Sequence, residues 1–188
     1  MRIIAGKFRG LALASVGKGD ADAHLRPTSD RVRESLFNVL GNHGVVQDAV
    51  VLDLFAGTGA LGLEALSRGA ASVTFVDDGA VALKILQRNI ALARAEGETT
   101  VIRRDATRLT HAPATPADLI FLDPPYGKGL GQKALDAAAR AAWIAPDATI
   151  VWEEASPQHP PSADFQLIDQ RRYGDTHVSI MTFSAAGS

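Results

Sequence analysis

An α/β domain on a mostly parallel seven-stranded sheet, with one antiparallel strand, is the fold this sequence predicts. Three observations carry it. From Ala49 onward, apolar runs of strand length alternate with segments whose apolar residues recur every three to four positions. Such alternation implies crossover connections and a parallel sheet. The last two apolar runs are joined instead by the short turn Gly174-Asp175, which requires an antiparallel pair.

The elements follow in order. "MRIIAGKFRGLALASV" holds two strand-like stretches, Arg2–Ile4 and Leu11–Val16, linked through Gly6 and Gly10, and reads as a hairpin with a basic tip or face. "GKGDADAH" is a polar connector. Thr28, after Pro27, is the expected N-cap of a helix whose apolar face is Val32, Leu36, Val39 and Leu40, with Gly41 as its stop. "AVVLDLF", "SVTFVD", "TTVIRRD", "ADLIFLD" and "TIVWEEA" are strands. "ALGLEALSRG", Ala80 to Arg94 and "GQKALDAAARAAWI" are the intervening helices. "FQLIDQRRYGDTHVSIMTF" supplies the closing strand pair. The expected division is an N-terminal extension over 1–45 and the α/β domain over 46–188.

Composition narrows the class. Hydrophobic residues make up 46% and charged residues 21%, which is globular rather than disordered. The absence of cysteine removes disulfide frameworks and cysteine-based metal sites. No apolar run reaches the ~20 residues of a membrane helix, and the basic N-terminus lacks an apolar core of signal-peptide length. A cytoplasmic protein is the expectation. Residues 1–35 carry seven basic and four acidic side chains, a net +3, whereas the whole chain is −2 and the remainder therefore −5. A basic arm on an acidic body suits a polyanionic partner at one end; a merely solvated surface would read the same way.

"VLDLFAGTGALGLE" follows the first buried strand. Gly57, Gly59 and Gly62 satisfy G-x-G-x-x-G, and Asp77 lies twenty positions after Gly57. That is formally a dinucleotide fingerprint, so a nicotinamide oxidoreductase is one reading. Asp53 argues against it, because a carboxylate beneath a pyrophosphate is a repulsive neighbour, and no hydride-transfer site is evident. A ligand joining a nucleoside to an ammonium and a sulfonium fits better. Phe55, Ala56, Gly57, Thr58 and Gly59 would approach it through backbone, and Asp53 would face its positive end. Asp77, followed by Asp78, would accept from the ribose hydroxyls. Asp105 would accept from the adenine amine, with the Ala106 N–H aimed at the ring. Asp77 as a helix cap and Asp105 as a turn former are the structural alternatives, and Glu64 reads as structural.

The fourth strand ends in Asp123-Pro124-Pro125-Tyr126. With "DLFAGTG", this quartet resembles the signature of S-adenosylmethionine-dependent methyltransferases that act on exocyclic amines. "MRIIAGKFRG", "LRPTSDRVRESLFNVL", "VLDLFAGTGALGLEALSRGA", "DLIFLDPPY" and "RRYGDT", in this order, resemble the bacterial small-subunit rRNA guanine-N2 methyltransferases of the RsmD type over nearly the whole chain. "FVDD" departs from the family, which usually has glutamate at Asp77 or Asp78; the shorter side chain should still reach a ribose.

The resemblance implies a Rossmann-like class I fold, S-adenosylmethionine as cofactor, no metal, and methyl transfer to guanine N2. An exocyclic amine is a poor nucleophile because its lone pair is delocalised into the ring. Asp123 and the Pro124 carbonyl would each accept one N–H and draw the nitrogen toward sp³ geometry. Pro124 and Pro125 would fix the turn, and Tyr126 would stack on a base flipped from its helix. Arg2, Lys7, Arg9, Arg26 and Arg31 would hold phosphates, although Arg26 and Thr28 could instead help close the cofactor pocket. The expected partner is small-subunit ribosomal RNA or the assembled subunit, met by a monomer with no membrane involved. Adenine N6 in DNA is chemically equivalent for the quartet, and a non-catalytic RNA-binding module is the rival from another class.

Overall fold

Seven strands order as β3-β2-β1-β4-β5-β7-β6 in the computed structural model, which describes residues 1–15 and 28–184. They are β1 (Val50–Leu54), β2 (Ser72–Asp77), β3 (Thr99–Arg103), β4 (Ala117–Leu122), β5 (Ile144–Glu154), β6 (Phe165–Tyr173) and β7 (Thr176–Phe183). β1 to β5 pair in parallel, and β7 is antiparallel to both β5 and β6. The predicted α/β sheet with one antiparallel strand is therefore present.

The period-2 alternation sorts the strands' side chains between two apolar layers. Val51, Val73, Phe75, Leu119, Phe121 and Val151 face one core, shared with α1 (Asp30–Asn42), α2 (Ala60–Ser67) and α3 (Ala80–Ala93). Leu52, Leu54, Val76, Ile120, Leu122, Ile150 and Trp152 face the other, covered by α4 (Leu130–Arg140). Gly131 of α4 lies so close to Trp152 that an added Cβ would stand 2.5 Å from the indole. The first core crosses the expected division at residue 45, because Ile3, Leu13, Leu36, Phe37 and Leu40 belong to the same cluster as Val51 and Leu63.

The N-terminal segment forms a short hairpin, in which Ile3 N–H reaches the Leu11 carbonyl at 2.9 Å, Gly10 N–H the Ile3 carbonyl at 2.9 Å and Leu13 N–H the Met1 carbonyl at 3.0 Å. A single antiparallel bridge, Arg2 with Ala12, stands where two strands were expected, and Val16 lies outside the described residues. The amides that face away from this pairing reach α2. Glu64 accepts from Ile4 N–H at 2.8 Å and Ala5 N–H at 3.1 Å, the Ser67 hydroxyl accepts from Phe8 N–H, and the Ser67 carbonyl accepts from Lys7 N–H. The segment is thus strapped along α2. At Gly6, φ is +83° and a Cβ would stand 1.7 Å from the Ser67 carbonyl oxygen, so only glycine fits there.

Two helix ends also differ from expectation. α1 is capped by Ser29, whose hydroxyl accepts from Val32 N–H at 3.3 Å, and it runs through Gly41 to Asn42. Thr28 is freed for another partner. The fourth helix stops at Arg140, and Ile144 already begins β5. Among the described residues no helix is long and apolar enough to cross a membrane.

Candidate active site

Open parallel sheets bind ligands beyond the C-terminal ends of their strands, and here that edge is lined with acids. Leu54 pairs with Val76 and Leu122, and Leu122 with Trp152. One residue further along these four strands come Phe55, Asp77, Asp123 and Glu153. The sequence-predicted Asp77 and Asp123 therefore share one row of the sheet.

Phe55 and Gly57 have φ of +58° and +56°. Positive φ at a non-glycine residue stores strain, which such loops hold at functional positions. Asp77 sets the loop's height. Its carboxylate accepts from Gly57 N–H at 2.9 Å and from Gly79 N–H at 2.8 Å, at the start of α3. The helix-cap reading of Asp77 is thus present alongside its place at the strand end. Asn89 on α3, which sequence reasoning passed over, supports the same loop from behind. Fully buried, it donates to the Thr58 carbonyl at 2.9 Å and exchanges hydrogen bonds with the Ala14 backbone. Its only sequence signal was an amide on the apolar face of a helix.

Asp53 lies beneath α2 and accepts from Gly62 N–H at 3.0 Å. It is 2% exposed. Burial pushes its pKa up to about 8, opposed by the Gly62 hydrogen bond and reinforced by the nearby Asp77 charge. Asp105 follows β3 and accepts from Thr107 N–H and hydroxyl at 2.8 and 2.7 Å, so it forms the turn expected as its structural alternative. Partial burial would raise its pKa, but those bonds and Arg108 outweigh it and hold the carboxyl below its usual value. Ala106 is buried and Asp78 exposed.

The Asp123-Pro124-Pro125-Tyr126 turn sits between these acids and β5. The Asp123 backbone N–H reaches the Leu54 carbonyl at 3.5 Å, and Pro124 is buried. Tyr126 donates its hydroxyl to Glu153 Oε1 at 3.0 Å and lies 3.3 Å from Thr176 Oγ1. Burial drives the phenol's pKa up, as do the charges of Glu153 and Asp123. The phenol is accordingly a fixed donor rather than a proton acceptor. Glu153 also accepts from the Thr28 hydroxyl at 3.1 Å, and Glu154 accepts from Gly127 N–H. Neither acid stood out in the sequence; their signal was two carboxylates closing a buried strand in "VWEEA".

The basic candidates divide. Arg2 approaches Asp30 at 4.0 Å, in the first turn of α1 that also holds the exposed Arg31. Because Thr28 just before it reaches Glu153, this pair lies toward the acidic edge. Lys7 pairs with Glu98 and Ser67, which sit just before the starts of β3 and β2. Arg9 shares its turn. Six strand residues span about 20 Å, so the tip of the arm and the acidic edge lie at opposite ends of the sheet. Arg26 lies outside the described residues.

A mostly parallel sheet in this order, with one antiparallel strand, is the Rossmann-like class I methyltransferase fold. The profile described as "Conserved hypothetical protein 95" matches residues 1–182, and the chain belongs to that family. "Ribosomal RNA small subunit methyltransferase D" of Escherichia coli K12 is 41% identical over 154 residues, covering 81% of this chain and 74% of that one. Its namesake in Haemophilus influenzae is 36% identical over 156 residues, covering 81% and 78%. The solved structure named "Putative methyltransferase yhhF from Escherichia coli" superposes with a TM-score of 0.82 at 35% identity, over 98% of each chain.

Proposed function

We propose that this chain transfers a methyl group from S-adenosylmethionine to the exocyclic N2 amine of a guanine in small-subunit ribosomal RNA, in the cytoplasm and as a monomer. One observation supports the chemistry most: Asp123 stands in a proline-fixed turn one strand away from the glycine loop and two from Asp77. The substrate class follows from the relatives' names, and the base follows from the resemblance of the quartet and the flanking motifs.

The donor set suits this cofactor. Asp53, Asp77 and Asp105 offer carboxylates to a ligand with a cationic end, two ribose hydroxyls and an adenine amine. A pyrophosphate fits poorly, because the Gly57 N–H it would need is donated to Asp77 and Asp53 lies beneath. When bound, S-adenosylmethionine supplies an electrophilic methyl on a sulfonium. Asp123 accepts one N–H of the target amine and the Pro124 carbonyl the other, which localises the lone pair on nitrogen. The nitrogen so held would take the methyl in exchange for the sulfonium bond, and Asp123 and water would receive the surplus proton. Tyr126 holds the base in line, and positioning of this kind supplies most of the gain.

Residues 1–45 would serve as the RNA-binding extension of the catalytic domain. Arg2 and Arg31 would meet phosphates beside the target base. Lys7 and Arg9 would reach only a more distant part of the RNA. Methyl transfer compared across naked small-subunit rRNA, assembled small subunits and duplex DNA tests the reading. RNA or subunits should accept the label and DNA should not; labelling of DNA alone would overturn it.

Asp53 gives a second test. It is largely protonated near neutral pH without ligand, and a cation beside it favours the ionised form. Cofactor binding near pH 7 should therefore release a proton from Asp53, and Asp53→Asn should abolish that part. Calorimetry in buffers of different ionisation enthalpy reads the difference. Equal release by both proteins would remove Asp53 from the site. Because its folded pKa exceeds its unfolded value, Asp53 also costs stability as pH rises from about 4 through 8. Asp53→Asn should flatten that decline.

A further inference from the structure

Glu153 is a buried carboxylate in an unusual setting. Only 6% of it is exposed, and among the described residues no cation pairs with it. Two hydroxyls satisfy it instead, Tyr126 at 3.0 Å on Oε1 and Thr28 at 3.1 Å on Oε2. A buried acid without a counter-charge costs folding free energy that an apolar residue would not. Burial pushes its pKa up, and the two hydroxyls oppose that shift. The cost is incurred beside the catalytic turn, one strand from Asp123.

The two donors come from different parts of the chain. Tyr126 closes the Asp-Pro-Pro-Tyr turn, and Thr28 lies just before α1. The wall continues through Thr176, 3.3 Å from the Tyr126 hydroxyl, and through Ser35 of α1, which donates to Tyr173 at 3.1 Å. Prolines fix the backbone of the turn but leave the tyrosine ring free to swing about its own side-chain bonds. A bond at the far end of the ring removes that freedom.

We propose that Glu153 is a positioning residue for methyl transfer: it grips the Tyr126 hydroxyl and so fixes the ring against which the target base lies, while Thr28 anchors the carboxylate from α1. This rests on the reading that the site methylates a stacked base. A loss of hydrogen-bonded orientation of this size is expected to lower single-turnover methyl transfer about tenfold. Glu153→Ala and Tyr126→Phe should each show that loss. The double variant should be no slower than the slower single, because both remove the same tether. Glu153→Gln keeps an acceptor oxygen and should recover most of the rate. S-adenosylmethionine affinity should stay within about twofold, and the loss should fall on kcat rather than on KM for RNA.

NMR of the Tyr126 side chain gives a readout independent of activity. The ring should keep one χ1 rotamer, read from side-chain scalar couplings, in the wild-type protein and in Glu153→Gln, and average between rotamers in Glu153→Ala and Thr28→Val. Unchanged couplings in both Glu153→Ala and Thr28→Val, or multiplicative losses in the double variant, would overturn the proposal. If the wild-type protein methylated no RNA, the functional reading would fall, and the tether would still be decided by the couplings. Should Glu153→Ala fail to fold, Thr28→Val and Tyr126→Phe carry the same two readouts.

Discussion

Asp123→Ala should lower single-turnover methyl transfer about 10²- to 10³-fold while leaving S-adenosylmethionine affinity nearly intact. The size is that of losing one preorganised electrostatic group in an enclosed site. In the proposed mechanism the carboxylate would both orient the amine and take up the positive charge that grows on nitrogen. Alanine leaves the Pro124 carbonyl as the sole acceptor on that side. The acids proposed for the cofactor are on β1, β2 and beyond β3, so a pocket built from them would keep its own groups. Rapid-quench measurements with saturating RNA, set beside calorimetry, separate the two effects. Near-normal transfer by a folded Asp123→Ala protein would end the amine-activation mechanism. A parallel loss of cofactor affinity would instead make Asp123 part of the cofactor site.

Glu64→Ala should cost about 3–5 kcal/mol of folding stability, the usual penalty for leaving one member of a buried ion pair uncompensated. Glu64 is wholly buried and accepts from Ile4 N–H, Ala5 N–H and Arg68 Nε, the last at 2.8 Å. Arg33, also wholly buried, lies 3.5 Å from it through Nε. Arg33 Nη2 reaches the Arg2 carbonyl, and Asp30 at 3.1 Å. Removing Glu64 leaves that guanidinium short of one carboxylate and strips two amides of their acceptor. Urea unfolding would show the loss, and a change below about 1 kcal/mol would contradict this account of the strap. The effect should travel. The strap ends at Ala14 on Asn89, which also holds Thr58 of the glycine loop. A loosened strap should therefore weaken cofactor binding in a protein that is still folded.

The alternating α/β pattern was legible because both faces of the sheet are buried and the helices between its strands are amphipathic. The glycine loop, Asp77 and the Asp-Pro-Pro-Tyr turn were legible because each is a local string at the end of a strand. What was not legible depends on contacts distant in sequence. Thr28 reads as the cap of α1 as well as Ser29 does, and only Glu153, 125 residues away, diverts it. "MRIIAGKFRGLALASV" alternates as a hairpin would and pairs as one, but nothing local in it shows that its outward amides dock on Glu64 and Ser67 of α2. Charge asymmetry drew attention to Lys7 and Arg9 without saying which end of the sheet they occupy. Glu153 and Glu154 differ by one position in a buried strand, and only the pleat decides that the first meets α1 and Tyr126.

The most direct test of the central claim is the identity of the methylated base. Small-subunit rRNA or subunits would be labelled by the wild-type protein with S-adenosylmethionine, digested to nucleosides and resolved by mass spectrometry. The account predicts N2-methylguanosine at one position, absent with Asp123→Ala. Methylation at adenine N6, at a ring carbon or at a ribose hydroxyl would contradict it.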